Sequence, residues 1–405
     1  MSQLKSGFLP SEWRNYTAST ILFFIFALAP LVTIFKSSSD TNFILALVQF
    51  LFFVIFIPES FKFLIDRVLG FKENYAFIAF ITSFLVLILF SAALNGGLMR
   101  SFFYFSNALF FISLVAFFSN TPDCFWKVLG WKVVSVFAVC LIFLLFRVLD
   151  RDVFYISVFK DPPVYRHLRH LNYDLMIALG ASLLLLEKQK LRLSGFLLLV
   201  SVFAVFSLWT GGRGQLVSLA IFIALCFFYV RIKISFCIFI IFLVSFLLIW
   251  VSGETEFMFG QIEKTFEFSS INSISTGRWQ IWQVTFIEAV RGGWAGLGAD
   301  QFKEFYSGFI VHPHNSVLQF FFEYGFLGVL LTLAFLVWSG AKCLLIVFDS
   351  EQETNLRIMA SFILSMYAFS LVDGIFYHAI PFSFMVFIAA GIFVHCRKDG
   401  QKIAG

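Results

Sequence analysis

The stretch HPHNSVLQFFFEYGFLG, His312 to Gly328, decides how this chain is read. Its first four residues are polar. From Ser316 the chain turns into an apolar run that lasts to Val337. About 20 such residues cross the hydrocarbon of a bilayer. Two imidazoles and an amide therefore sit where water meets the top of a buried helix. An ionisable group at that boundary points to a functional site. Histidine is also the side chain best placed to move a proton near neutral pH. The competing assignment is that both histidines only cap the start of the helix.

The rest of the chain supplies the context. It has 405 residues, 60% apolar and 13% charged, with 61 Phe. A soluble domain is about 45–50% apolar and about 25% charged. Twelve apolar runs are legible: Tyr16–Phe35, Asn42–Ile57, Tyr75–Leu94, Phe102–Phe118, Trp131–Leu149, Leu171–Leu186, Leu193–Thr210, Gln215–Val230, Ile234–Val251, Ser316–Val337, Leu356–Phe376 and Pro381–His395. These predict an all-α polytopic membrane protein, a single integral membrane domain of residues 1–405 with one large loop, 252–315.

With the N-terminus in the cytoplasm, most of the 29 Lys and Arg fall in connections on the cytoplasmic side. The short outer connections hold only Lys36, Arg100 and Arg213. That bias sets the orientation: both termini inside, the loops around 150–170 and 252–315 outside. It also accounts for the net charge of +5 without a nucleic acid. No RNA- or DNA-binding motif, Walker loop or dinucleotide fingerprint is present, and no ligand spacing suggests a metal. The six cysteines lie in or beside apolar runs without a CxxC pair, as packing residues do.

The outer connections carry the chemistry. Arg166-His167-Leu168-Arg169-His170 places a basic cluster, Arg169 included, at the mouth of the sixth run. Trp209-Thr210-Gly211-Gly212-Arg213-Gly214-Gln215 holds an arginine in a glycine turn, where the backbone can approach a ligand. In the large loop an acidic stretch from Glu254 to Glu267 precedes Ser275-Thr276-Gly277-Arg278. Ser275 or Thr276 is the expected N-cap. RWQIWQVTFIEAVR then places Trp279, Trp282, Phe286 and Val290 on one face of an interfacial amphipathic helix. Gly292 to Gly298 ends it in a flexible turn. Asp373, at the outer end of the eleventh run, is expected to pair with an arginine or to orient the base. Asp174 is expected to meet Arg169 or His170, and Trp209, Trp279 and Trp294 to anchor at the interface.

Arg213, Arg278 and His312/His314 converge on the outer side. Guanidinium groups fork onto phosphate oxygens and stay charged. A neutral imidazole accepts the proton of an attacking hydroxyl. Together they suit transfer of a group whose leaving partner is a lipid pyrophosphate. At these residues the sequence resembles the O-antigen ligase and polymerase superfamily of bacterial inner-membrane glycosyltransferases. The carriers are Gly211-Gly212-Arg213-Gly214, Ser275-Thr276-Gly277-Arg278-Trp279, and His314-Asn315 followed by nine residues and Gly325-Phe326-Leu327-Gly328. The likeness covers roughly residues 170–375.

The resemblance implies a GT-C-like fold of about twelve spans and a ligase. Such an enzyme moves O-antigen from undecaprenyl pyrophosphate to lipid A–core oligosaccharide at the periplasmic face, for lipopolysaccharide biosynthesis. It implies no cofactor, metal or nucleotide. By the same likeness Arg213 and Arg278 fall on pyrophosphate-binding arginines and His314 on the base. His312 is a second candidate base, and Asn315 orients the histidine or the acceptor. Gln215, Arg169 and Asp373 complete the expected substrate contacts. A polymerase of the same superfamily and a transporter of lipid-linked sugars are the alternatives. Apolar span centres weigh against the transporter.

Overall fold

The structure, a computed structural model, describes residues 11–28, 38–63, 75–149, 164, 168–230, 232–251, 277–306 and 310–398. The acidic stretch 254–267, Ser275, Thr276, Arg166 and His167 lie outside them, as does the side chain of Arg169.

Among the described residues every regular element is a helix. They are α1 (Ser11–Phe23, running into a π-turn Phe24–Leu28), α2 (Ser38–Ile55), α3 (Ile57–Phe63), α4 (Tyr75–Asn95), α5 (Leu98–Asn120), α6 (Pro122–Leu149), α7 (Leu168–Glu187), α8 (Leu193–Trp209), α9 (Arg213–Phe227), α10 (Ile232–Val251), α11 (Arg278–Arg291), α12 (Phe302–Phe305), α13 (Ser316–Phe348), α14 (Thr354–Ser370) and α15 (Ala379–Lys398). Each of the twelve apolar runs falls on one of these helices, the first as far as Leu28. In hydrocarbon every backbone N–H and C=O must be satisfied within the segment, which leaves the helix as the only open choice. Four of them, α5, α6, α13 and α15, are long and apolar enough to cross a membrane; α2, α4, α8, α9 and α10 carry shorter apolar stretches.

Helix α14 lies at the centre, against α7, α9, α13 and α15, while α5 packs on α2 and α15. Phenylalanine fills the gaps. The Phe125 and Phe387 rings, for example, stack with centroids 4.7 Å apart. All six cysteines are unbonded to one another and five of them are buried.

Buried charge departs from the sequence reading. For Asp174 the sequence suggested Arg169 or His170; the structure shows a lysine partner. The Asp174 carboxylate accepts from Lys132 Nζ on α6, and both side chains are fully buried. Lys132 is therefore no solvated cytoplasmic charge, and the helices are not apolar throughout. Hydropathy counting cannot separate a charge at a helix end from one turned inward. Removing one partner of a buried pair leaves the other charge uncompensated. Asp174→Ala is thus expected to cost about 3–5 kcal/mol, and Lys132→Met with Asp174→Leu to recover most of it. Unfolding of the three proteins in detergent checks this. A single variant as stable as the parent refutes it.

Helix α13 is 33 residues long, about 50 Å at 1.5 Å per residue. It is broken at Gly325, with φ 66° and ψ −158°, backbone open essentially to glycine alone. The longer piece runs from Phe326 to Phe348, past the expected boundary at Val337. The shorter piece, Ser316–Tyr324, stands at the end of the bundle. The segment after α11 docks in the break: Phe326 N–H donates to Gly293 O (3.0 Å), Leu297 N–H to Phe322 O (2.8 Å) and Gly298 N–H to Glu323 O (3.1 Å). What the sequence suggested as a flexible turn is a seated one. A Cβ at Gly325 would lie 2.3 Å from Gly293 O. Gly325→Ala is therefore expected to destabilise by at least about 1–3 kcal/mol from backbone strain alone. A drop in the thermal unfolding midpoint measures it, and an unchanged midpoint counts against this seat.

Helix α11 also differs from expectation. Its N-cap is Gly277, at φ 78°. Its apolar face, with Trp279, Phe286 and Val290, is exposed, as on an interfacial helix, and Thr285 and Ala289 are buried against α13. In lipid, small residues let helices approach and apolar ones face outward. Trp294 is exposed as an anchor would be, but Trp209 is buried beside Phe143 and Phe206.

Candidate active site

One end of the bundle gathers five connections: 95–98, 210–212, 292–301, 310–315 and 371–378. The site grows from the turn that starts α13. Asn315 is its N-cap, its Oδ1 accepting Leu318 N–H at 3.0 Å, while Nδ2 donates to Leu371 O at 2.9 Å. The asparagine expected to orient histidine or acceptor instead pins the helix start to the turn after α14. That turn delivers Asp373.

His314 sits just before the cap at φ 54°, left-handed backbone that histidine tolerates better than most residues. Its backbone N–H donates to His312 Nδ1 at 3.2 Å. Neutral His312 must then carry its proton on Nε2. The His312 ring is 3% exposed and packs face to face with Tyr377, centroids 4.9 Å apart.

His314 Nδ1 lies 3.0 Å from Asp373 Oδ1. The carboxylate also accepts the Gly374 N–H at 2.8 Å. Because an ionised carboxylate only accepts, Nδ1 bears the proton and the lone pair of His314 falls on Nε2. The His314 side chain keeps 13% of its surface. Of the two imidazoles, His312 is packed and supports a backbone amide, whereas His314 is held by an acid and reaches the surface. A third, His378, adjoins His312 and His170, with ring centroids at 5.1 and 4.9 Å. Poor hydration, and then the nearby His170, hold it well below the usual imidazole range, so it stays neutral.

The ligating atoms of His312, His314 and Asp373 lie within 4.8 Å of one another, close enough for a divalent ion. In this structure His312 Nδ1 accepts the His314 amide, and His314 Nδ1 is bonded to Asp373 Oδ1.

The arginines border this dyad. Arg213 opens α9. A Cβ at Gly214 would lie 2.8 Å from the Phe369 ring and 3.1 Å from Val372. Only glycine therefore lets α9 start against the turn that carries Asp373. From the other side Trp282 Nε1 donates to Pro313 O at 2.9 Å, so the first turn of α11, with Arg278, adjoins the histidine turn. Burial, and then the nearby charge of Arg278, hold the Arg213 guanidinium below its ordinary range. Both guanidiniums are only partly buried. Guanidiniums beside a His–Asp pair are a chemistry that can receive a multiply charged anion.

Residues 196–333 match the family model described as O-antigen ligase. The match supports the O-antigen ligase superfamily for this chain. No curated protein matches the chain. The matched ligase region holds Arg213, Arg278, His312 and His314 but stops short of Asp373, which only the fold brings in.

Other candidates fall elsewhere. Gln215 is fully buried, its Nε2 donating to Ser207 Oγ at 2.8 Å, so it faces α8 and not the arginines. Glu323 is fully buried too, its Oε1 accepting from Gln319 Nε2 (3.3 Å) and Asp300 N–H (3.4 Å). Arg100, read from the sequence as a charge of a short outer connection, is 2% exposed and bonded to Asp300 and Tyr377. Its one legible signal was its place next to Gly96-Gly97, at the head of an apolar run.

Proposed function

We propose that this chain is an O-antigen ligase. It transfers a glycan from undecaprenyl pyrophosphate to lipid A–core oligosaccharide at the periplasmic face of the bacterial inner membrane. The observation that carries the reading is the His314–Asp373 pair set beside Arg213 and Arg278. Arg213 and Arg278 bind the pyrophosphate and stabilise the charge that grows on it as the sugar leaves. His314 Nε2 takes the proton from the attacking hydroxyl of the acceptor sugar. That oxygen bonds to the anomeric carbon, and the bond from this carbon to the phosphate oxygen breaks. The electron pair departs with undecaprenyl pyrophosphate. Asp373 fixes the tautomer and stabilises the imidazolium, the role of the acid in serine hydrolases. His312 and Asn315 position the turn.

The energy resides in the donor's phosphate link, so the reaction needs no nucleotide, and the dyad supplies the base without a metal. The basic-residue bias of the connections supports cytoplasmic termini and a site at the outer leaflet, where both lipid substrates are presented. The test uses purified protein in detergent, lipid-pyrophosphate-linked glycan, lipid A–core and EDTA. Glycan on the core supports the ligase reading. Lengthened glycan on the polyprenyl lipid with none on the core means a polymerase. Product that appears only when a divalent ion replaces EDTA assigns His312, His314 and Asp373 to metal binding. No product of either kind favours the transporter.

A further inference from the structure

The proposed mechanism makes no use of Arg100, although it is almost fully enclosed. It opens α5 and joins two connections distant in sequence. Its Nε and Nη2 donate to Asp300 Oδ1 at 3.1 and 3.0 Å, and its Nη1 donates to Tyr377 O at 2.7 Å. The guanidinium lies over the Tyr377 ring, 3.8 Å from its centroid, well inside the range of a cation–π contact. The opposite side of the site repeats the theme. Tyr377 stacks on His312, and His312 Nδ1 holds the His314 amide. Asn42 adds a second donor to Tyr377 O at 3.1 Å.

Each link has two sides. Asp300, itself at φ 62°, follows the segment seated in the Gly325 break, and its N–H reaches Glu323 Oε1. Tyr377 belongs to the turn that carries Asp373. Arg100 thus clamps the loop after α11 to the turn that orients the base. We infer that Arg100 is a positioning residue for the reaction: through Tyr377 and His312 it holds His314 in its left-handed conformation, in line with Asp373. This rests on the assignment of His314 as the base.

A packed arginine with only a structural role would be expected to lower stability without a selective change in turnover. A positioning role has a kinetic mark. Misplacing a base by about 1 Å costs about 10²-fold in rate, and an effect confined to the chemical step lowers kcat while KM for the donor stays put. The experiment measures kcat and donor KM of inserted, purified Arg100→Gln, Arg100→Lys and Tyr377→Leu, with lipid-pyrophosphate-linked glycan and lipid A–core. Arg100→Gln is expected to lose about 10²-fold in kcat with KM held. Arg100→Lys keeps the charge over the ring and restores part of it. Tyr377→Leu keeps the main-chain carbonyl and the Arg100–Asp300 pair, removes the ring against His312, and is expected to lose kcat as well. This variant decides the matter if Arg100→Gln does not fold.

Parental kcat in Arg100→Gln overturns the inference. So does a rise in donor KM with kcat intact, which would make Arg100 a binding group. Parental kcat in Tyr377→Leu does the same. His314→Ala is run alongside. If it retains transfer, the assignment of the base fails; if it is inactive while Arg100→Gln is normal, only this inference fails.

Discussion

His314→Ala is expected to reduce glycan transfer by about 10²–10⁴-fold, the contribution of one positioned base, while the protein inserts and unfolds as the parent does. The expectation follows from the geometry of the pair. Asp373 Oδ1 receives Nδ1–H at 3.0 Å, so Nε2 is the basic nitrogen, and alanine removes it. His312→Ala acts differently. It deletes the acceptor of the His314 amide and loosens the turn, so its loss should be smaller. Asp373→Asn completes the set. An amide can still hydrogen-bond to the ring but permits the wrong tautomer, an exchange that costs about 10⁴ in a serine hydrolase. The assay is transfer from lipid-pyrophosphate-linked glycan to lipid A–core. Activity retained in His314→Ala with His312→Ala silent moves the base to His312. Activity retained in both sinks acid–base catalysis at this turn.

The second large effect is expected at Arg213. Arg213→Lys keeps the charge but gives up the planar fork, and a point charge does not reproduce bidentate contact with phosphate oxygens. Losing one donor to a developing anion costs about 10²–10³ in rate. Its position leaves little room for compensation. Gly214 fits α9 against the Asp373 turn, where a Cβ would lie 2.8 Å from the Phe369 ring. Arg278→Lys should behave alike, and the double variant should lose less than the product of the two, because the two act on one pyrophosphate. Near-normal turnover of Arg213→Lys would make the arginine a membrane anchor.

The sequence showed much of this. The helices follow from runs of apolar residues, since lipid admits few other structures. The two arginines and the histidines stood out because charge is rare where the chain enters the membrane. What it hid has physical reasons. The sequence offers Asp373 to an arginine or to the base; it is 59 residues from His314, and only the packing of α14 on α13 decides between the two. Arg100 and Lys132 look like loop charges because a hydropathy window averages out the direction of a side chain. The stripe on α11 was legible, and its exposed face is that of an interfacial helix. In a soluble helix the apolar face goes inward, whereas here the small residues do. Gln215 and Asn315 sit beside the chemistry in sequence, yet their side chains are spent on helix packing and capping.

The spacing of His314-Asn315 from Gly325 acquires a mechanical meaning. Nine residues make two and a half helical turns, about 14 Å. At one end the rod carries the histidine turn, and at the other a hinge that accepts the loop after α11. It works as a ruler and as a protractor. Losing a single residue would shorten it by about 1.5 Å and rotate one end by about 100° against the other. The imidazole would swing off the axis of Asp373 before the loop left its seat.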